Sequence, residues 1–181
     1  MRKTITVFCG SSDGCPIIYR QAAENFGRLL ARQGRQLIYG SGQCGLMGAA
    51  AKGAKEAGGY IVGINMRRFS DYEPYPGTDE LLMTESLALR KEALIERGEA
   101  CVALPGGVGT LDELMDVYAL AQAGILEKPI GLLNVNGYFE GLLMQLRRAV
   151  SDGFMKQSHL DLLIVEADGE KLLRRLDEVI P

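Results

Sequence analysis

Histidine is nearly absent from this chain and its cysteines never fall in close pairs, which removes several classes of metal and redox chemistry. The single His159 and the four cysteines Cys9, Cys15, Cys44 and Cys101 form no C-x-x-C spacing. A structural zinc site draws its ligands from such pairs, and a disulfide framework needs dense, regular cysteines, so neither is expected. Cys9 and Cys101 lie within or at the end of apolar runs and are expected to be buried, inert thiols. His159 follows the polar run Lys156-Gln157-Ser158 and is expected at the surface, outside any Ser-His-Asp or Cys-His arrangement. An excess of positive charge is also missing: 20 Lys and Arg face 23 Asp and Glu, a formal charge of −3. No global field recruits a polyanion, so nucleic acid is not an expected partner. No apolar stretch approaches the roughly 20 residues that span a bilayer. Met1-Arg2-Lys3 leads straight into Thr4-Ile5-Thr6-Val7-Phe8, which is too short and too β-branched for the apolar region of a signal peptide. These absences predict a cytoplasmic protein with no membrane partner.

What the chain does have is regular alternation. Short β-branched or apolar runs predict strands at Thr4–Cys9, Gln36–Tyr39, Tyr60–Ile64, Leu81–Met83, Ala100–Leu104, Pro129–Leu133 and Leu162–Val165. Between them, helical periodicity predicts helices at Ile17–Gln33, Leu46–Ala57, Ser86–Arg97, Thr110–Ala123, Tyr138–Val150 and Gly169–Val179. Ala22, Phe26, Leu29 and Leu30 fall on one face of the first, and Gly34 stops it. Tyr72, Pro74, Tyr75, Pro76 and Gly77 mark an exposed loop. Strand and helix in strict turn predict a Rossmann-like α/β fold, an open parallel sheet with helices on both faces. With no repeat or linker, residues 1–181 read as one domain.

Glycines gather after three strands, at the sheet edge where such folds bind ligands. The first cluster is Cys9-Gly10-Ser11-Ser12-Asp13-Gly14, the second Gly40-Ser41-Gly42-Gln43-Cys44-Gly45, and the third Pro105-Gly106-Gly107-Val108-Gly109-Thr110. Gly40, Gly42 and Gly45 satisfy G-x-G-x-x-G, the dinucleotide pattern, although no acidic residue follows the next strand. Arg67 and Arg68 stand there instead and could meet an NADP 2′-phosphate, which keeps a reductase open beside plain tight turns. The third cluster is the more specific: its amides converge at a helix start, where the dipole and unpaired N–H groups favour an anion such as phosphate.

Glu113 supports two readings. Thr110-x-x-Glu113 is a capping box, in which the glutamate reaches back to the Thr110 amide. A carboxylate one turn from bound phosphate could instead stabilise a ribosyl oxocarbenium ion and orient water. Arg90-Lys91, at the start of the preceding helix, is either a solvated pair or a cationic clamp.

The run Leu104-Pro105-Gly106-Gly107-Val108-Gly109-Thr110-Leu111-Asp112-Glu113 resembles the P-G-G-x-G-T-x-x-E signature of the LOG (Lonely Guy) family, cytokinin riboside 5′-monophosphate phosphoribohydrolases that have also been labelled lysine decarboxylases. The resemblance extends through Val7–Ser12, Tyr39–Gly40, Gly45–Gly48, Lys128–Asn134 and Asn136-Gly137-Tyr138. It implies a homodimer with a Rossmann-like fold that cleaves a nucleoside 5′-monophosphate to free base and ribose 5-phosphate, with no cofactor and no metal. It also implies roles: Arg90 and Glu113 catalytic, with Lys91, Gly106, Gly107, Val108, Gly109, Thr110, Gly42, Gly45 and Ser11 binding substrate. Pyridoxal phosphate chemistry is not expected, because no lysine lies in a suitable setting. The chain departs from the family pattern at Leu87 and Ala88, where Met and His are usual, at Ser41, usually glycine, and at Asn65, commonly proline. Several of these positions lie where the base would be recognised. A carrier of a nucleotide or pterin cofactor on the same fold is the rival reading.

Overall fold

A computed structural model describes residues 3–69 and 73–179. Among these residues are seven strands: β1 (Thr4–Phe8), β2 (Gln36–Tyr39), β3 (Ile61–Met66), β4 (Glu80–Thr84), β5 (Ala100–Ala103), β6 (Ile130–Leu133) and β7 (Leu163–Glu166). They form one sheet in the order β4-β3-β2-β1-β5-β6-β7, and every neighbouring pair is parallel. The central strands β2, β3, β5 and β6 are buried along nearly their whole length, as strands covered on both faces must be.

The covering helices are α1 (Ile17–Arg32), α2 (Gly45–Glu56), α3 (Leu87–Arg97), α4 (Val108–Gln122), α5 (Glu140–Ser151), α6 (Gln157–Leu160) and α7 (Gly169–Asp177). Phe26 and Leu30 of α1, Ala49–Ala51 of α2 and Leu172, Leu173 and Leu176 of α7 pack with Ile5, Leu37 and Val102 on one face. Leu94 of α3, Leu114, Val117 and Tyr118 of α4 and Leu143 of α5 pack with Phe8, Ile64 and Leu132 on the other. The Rossmann-like α/β architecture expected from the alternation is therefore present.

Several details differ from the periodicity. The buried face of α1 carries Ala23, Phe26, Gly27 and Leu30, with Ala22 and Leu29 only partly covered. The rotation follows from α2: a side chain on Gly27 would meet the Ala50 carbonyl at 2.0 Å, so the smallest residues face the helix contact. Gly34 does end α1, with φ +70°, and donates to the Ala31 carbonyl. The short α6 and two 3-10 turns, Arg67–Phe69 and Val135–Gly137, have no clear period in sequence. Tyr72 lies outside the described residues. The rest of that expected loop is not free: Pro74 bridges to Gly42, and the Tyr75 amide donates to the Ser41 carbonyl. His159 is half-buried rather than exposed, with its carbonyl accepting from the Tyr118 hydroxyl at 2.9 Å. Cys9 and Cys101 are buried as expected, and desolvation pushes both thiols up, Cys101 to about 12.

Ser41 holds φ +69° while fully buried, and among the described residues its Oγ has no partner. The left-handed conformation costs a residue with a Cβ about 1–2 kcal/mol, and a buried unpaired hydroxyl about 1–3 kcal/mol more. Glycine removes both costs, against an unfolded-state entropy penalty of about 0.4–1 kcal/mol. Ser41→Gly is thus expected to raise the thermal midpoint by about 2–4 °C, the shift that about 1 kcal/mol produces at this size. A midpoint at or below that of the parent chain in a melting scan refutes it.

Candidate functional site

The strand order reverses between β1 and β5, and the loops leaving their carboxyl ends meet there, at the switch point where open α/β sheets bind ligands. The Gly10 amide donates to the Pro105 carbonyl at 3.0 Å. A side chain on Gly10 would lie 3.3 Å from the Gly106 Cα, and one on Gly106 would lie 2.1 Å from the Thr110 hydroxyl. Glycine at these two positions is what lets the loops close on each other. A cavity of about 440 Å³ opens beside the contact, lined by the loop from Gly10 to Pro16, by Tyr19, Leu46 and Tyr138, and by Pro105–Gly107. Ser11 is exposed in its wall.

Helix α4 begins at Val108, two residues earlier than its periodicity predicts. Gly107 is its N-cap, in extended conformation and without a side-chain hydrogen bond. Sequence reasoning placed Thr110 at the cap; the structure puts it inside the first turn, buried against Gly106. The first backbone donor of this helix that finds an acceptor is the Leu111 amide, on the Gly107 carbonyl. Among the described residues the N–H groups of Gly107, Val108, Gly109 and Thr110 have none. Gly107 and Gly109 have open space where a Cβ would stand. Unpaired amides at the positive end of a 15-residue helix favour an anion there.

The Glu113 carboxylate does not reach back to the Thr110 amide, so the capping box is not formed. Its Oε1 accepts from Arg90 Nη1 at 2.9 Å instead. Arg90 projects from α3, whose N-terminus is capped by the Ser86 hydroxyl, and it is 9% exposed. Its Nε donates to the Ile64 carbonyl at 3.0 Å and its Nη2 to the Gly40 carbonyl at 3.3 Å. Three acceptors from β3, α4 and the end of β2 therefore fix the guanidinium plane. Gly40 makes room for it, since a Cβ there would lie 2.2 Å from Nη2. Burial pushes the Glu113 carboxyl above the usual carboxylate range, and Arg90 beside it only partly reverses the shift. The result is a carboxyl largely shielded from water, fixed in direction by arginine, one turn beyond the open amides.

The remaining expected site residues separate into two groups. Gly106, Gly107, Val108, Gly109, Thr110 and Ser11 border the switch point with the Arg90–Glu113 pair nearby. Gly42, Gly45 and Lys91 are committed elsewhere. Gly45, at φ +63°, packs where a Cβ would overlap the Ser11 carbonyl carbon at 2.3 Å, and Gly42 packs on Met47. The Leu46 and Met47 amides that would cradle a pyrophosphate both donate to the Gly10 carbonyl, at 3.0 and 3.3 Å. The G-x-G-x-x-G match is thus a loop-packing device, which removes the basis for a dinucleotide reading. Lys91 is paired elsewhere: its Nζ meets Asp112 at 3.0 Å and Asp116 at 2.7 Å. The hydrogen bonds its Nζ donates to Asp116 and Asp112 hold its amine above the usual range. Among the described residues no group of three or more His, Cys, Asp or Glu side chains is placed to hold a metal ion. None of the helices described is long and apolar enough to cross a membrane.

Sequence reasoning missed Gly40 as the recess for Arg90, and Tyr19 and Tyr138 as cavity walls. For Gly40 a signal existed in its place at a strand end. For Tyr138 the family-like run Asn136-Gly137-Tyr138 was a signal, whereas Tyr19 carried none, because its cavity neighbours come from distant segments.

The chain is similar to several known proteins. The profile of the family described as "Possible lysine decarboxylase" matches residues 47–176. A "probable cytokinin riboside 5′-monophosphate phosphoribohydrolase" of Oryza sativa subsp. japonica is 41% identical over 180 residues, covering 99% of this chain and 79% of that protein. The cytokinin riboside 5′-monophosphate phosphoribohydrolase LOG5 of Arabidopsis thaliana is 39% identical, with the same shares covered. Among solved structures, the molybdenum cofactor binding protein of Rippkaea orientalis superposes with a TM-score of 0.76 at 24% identity, over 100% of this chain and 99% of that one. The Moco carrier protein of Chlamydomonas reinhardtii superposes at 0.74 with 22% identity, over 99% and 98%. At such identities these two establish the fold alone. The full-length relatives and the matched profile establish more: the chain belongs to the LOG family.

Proposed function

We propose that this protein hydrolyses the N-glycosidic bond of a nucleoside 5′-monophosphate, releasing the free base and ribose 5-phosphate. The observation that carries the reading is the largely buried Arg90–Glu113 pair, one helical turn from four amides that are unpaired among the described residues. Phosphate binds at the N–H groups of Gly107, Val108, Gly109 and Thr110, with the Thr110 hydroxyl close by. That anchor presents the ribose to Glu113. As the C1′–N bond breaks, its electron pair leaves with the base and positive charge develops at C1′. The Glu113 carboxylate stabilises that charge and holds a water molecule for attack. The water oxygen bonds to C1′, one of its protons stays on the new hydroxyl, and the other goes to the departing base. Arg90 keeps Glu113 ionised and aimed, and its guanidinium offsets charge on the leaving base.

Cytokinin riboside monophosphates are the substrates named for the Arabidopsis relative, and AMP has the same phosphate end. Leu87 and Ala88, exposed on the first turn of α3, differ from the family pattern near the base and set the choice between them. Incubation with AMP and isopentenyladenosine monophosphate, with chromatography of the released base, tests the activity. No base from any purine or pyrimidine monophosphate would overturn it.

A homodimer is part of the same reading. Leu87, Leu89, Val108 and Leu111 are exposed apolar side chains on the N-terminal parts of α3 and α4, and burying them against a second copy removes them from water. Light scattering that gives the mass of one chain at micromolar concentration rejects the dimer. A cytoplasmic location accords with the reducing setting expected from the unpaired cysteines.

A further inference from the structure

We propose that Tyr138 is a positioning residue for the phosphate end of the site, acting through the peptide between Gly106 and Gly107. The inference rests on the phosphate-binding role proposed above for the start of α4. Tyr138 comes from the loop between β6 and α5, and its hydroxyl donates to the Gly106 carbonyl at 2.5 Å. The chain contains no cis peptide among the described residues, and in a trans peptide the carbonyl and the following N–H point in opposite directions. Drawing the Gly106 carbonyl toward Tyr138 therefore turns the Gly107 N–H away from it, and that N–H has no acceptor among the described residues. Rotation of the same peptide by half a turn would present a carbonyl oxygen to the anion in place of a donor. Nothing in Gly107 resists that rotation, because it lacks a Cβ and has open space around it.

The tyrosine is itself held firmly. Its ring meets Tyr19 edge-on, with centroids 5.5 Å apart, and Phe139 at 5.2 Å. Phe139 is buried, and its amide donates to Asn134 Oδ1 at 2.8 Å. Asn134 Nδ2 in turn donates to Glu140 Oε1 at 2.7 Å, which locks the turn at the end of β6. Left-handed Asn136 and Gly137, at φ 53° and 68°, deliver the ring to the loop after β5. A tyrosine that is 41% exposed gains little from burial, so the hydroxyl contact on Gly106 is the feature that gives this placement a purpose.

Tyr138→Phe removes the hydroxyl and keeps the ring. It is expected to weaken ribose 5-phosphate binding about tenfold in calorimetry, the effect of one hydrogen bond that orients a donor to a charged group. The KM for the nucleoside monophosphate rises by a similar factor, with kcat within about twofold and the thermal midpoint nearly unchanged. Affinity for the unphosphorylated nucleoside stays at the parent value, which a general loosening of the fold would not produce. Unchanged ribose 5-phosphate affinity in Tyr138→Phe overturns the inference, as does an equal loss for the unphosphorylated nucleoside. A parent chain that binds ribose 5-phosphate through Tyr138 yet releases no base would sink the hydrolase and leave the positioning role standing. A parent chain that binds no ribose 5-phosphate overturns both.

Discussion

Glu113→Gln is expected to lower kcat for base release about 10³-fold while ribose 5-phosphate binds within a few-fold of the parent affinity. The amide keeps the size of the carboxylate and can still accept from Arg90 Nη1, so the loop and the start of α4 stay in place. What it lacks is the negative charge that meets the developing ribosyl cation. Removing one preorganised electrostatic partner from a transition state typically costs 10²–10³-fold in rate, and loss of water activation adds to it. Single-turnover measurement of base release, beside calorimetry with the product, separates the two quantities. A carrier on this fold gives a different result, with no turnover in either protein and no large change in affinity. A Glu113→Gln chain that retains a tenth or more of parent turnover removes Glu113 from the mechanism.

The second large effect is expected from Arg90→Met. The guanidinium bonds to Glu113, Ile64 and Gly40, and among the described residues it is the only side-chain hydrogen-bond partner of the Glu113 carboxylate. Breaking a buried pair on one side costs about 3–5 kcal/mol, a figure that applies where Glu113 is forced to remain ionised. It escapes by holding its proton. Desolvation already places its carboxyl above the usual range, with Arg90 pulling it down, so loss of Arg90 moves it further up. In the unfolded chain Glu113 titrates near about 4.3. Below that value both states are protonated and the shift costs nothing. Above it the unfolded state ionises first, so stability falls as pH rises until the folded carboxyl also ionises. Arg90→Met is therefore expected to melt close to the parent at pH 4 and well below it at pH 8. A deficit equal at the two pH values contradicts this account. Activity follows the same logic, since the carboxylate is the working form. The acid limb of kcat/KM in the parent is expected above the ordinary glutamate range, and any residual activity of Arg90→Met has its limb displaced further toward alkaline pH.

In the proposed mechanism the amide cradle at α4 holds the phosphate, and the sheet supplies that cradle through its topology. Turnover requires in addition a carboxylate kept dry and aimed. Here that depends on a glycine at position 40, which leaves the space that the Arg90 guanidinium fills. Gly40→Ala places a methyl group against that guanidinium, so it is expected to disturb turnover more than phosphate binding.

Much of this was legible in the linear chain. Strands of four to six residues alternating with longer amphipathic helices dictate a parallel α/β sheet, because βαβ units have few other ways to bury both faces. The helix start after β5 was visible as glycines between a buried strand and Thr110, and Arg90 and Glu113 stood out through motif order. The identity of contacts was not legible. Thr110 and Glu113 have the spacing of a capping box, yet a charged guanidinium from another helix binds the carboxylate more strongly than a local amide does. Gly40, Gly42 and Gly45 have dinucleotide spacing, yet the Gly10 carbonyl occupies the donors that pattern would offer. Lys91 stands beside Arg90 in sequence, but successive helix positions point about 100° apart, which sends it to Asp112 and Asp116. Local sequence thus determined which backbone groups would be left unpaired at the ends of strands and helices. Tertiary structure decided who satisfies them, because hydrogen-bond partners are chosen by distance and direction in space.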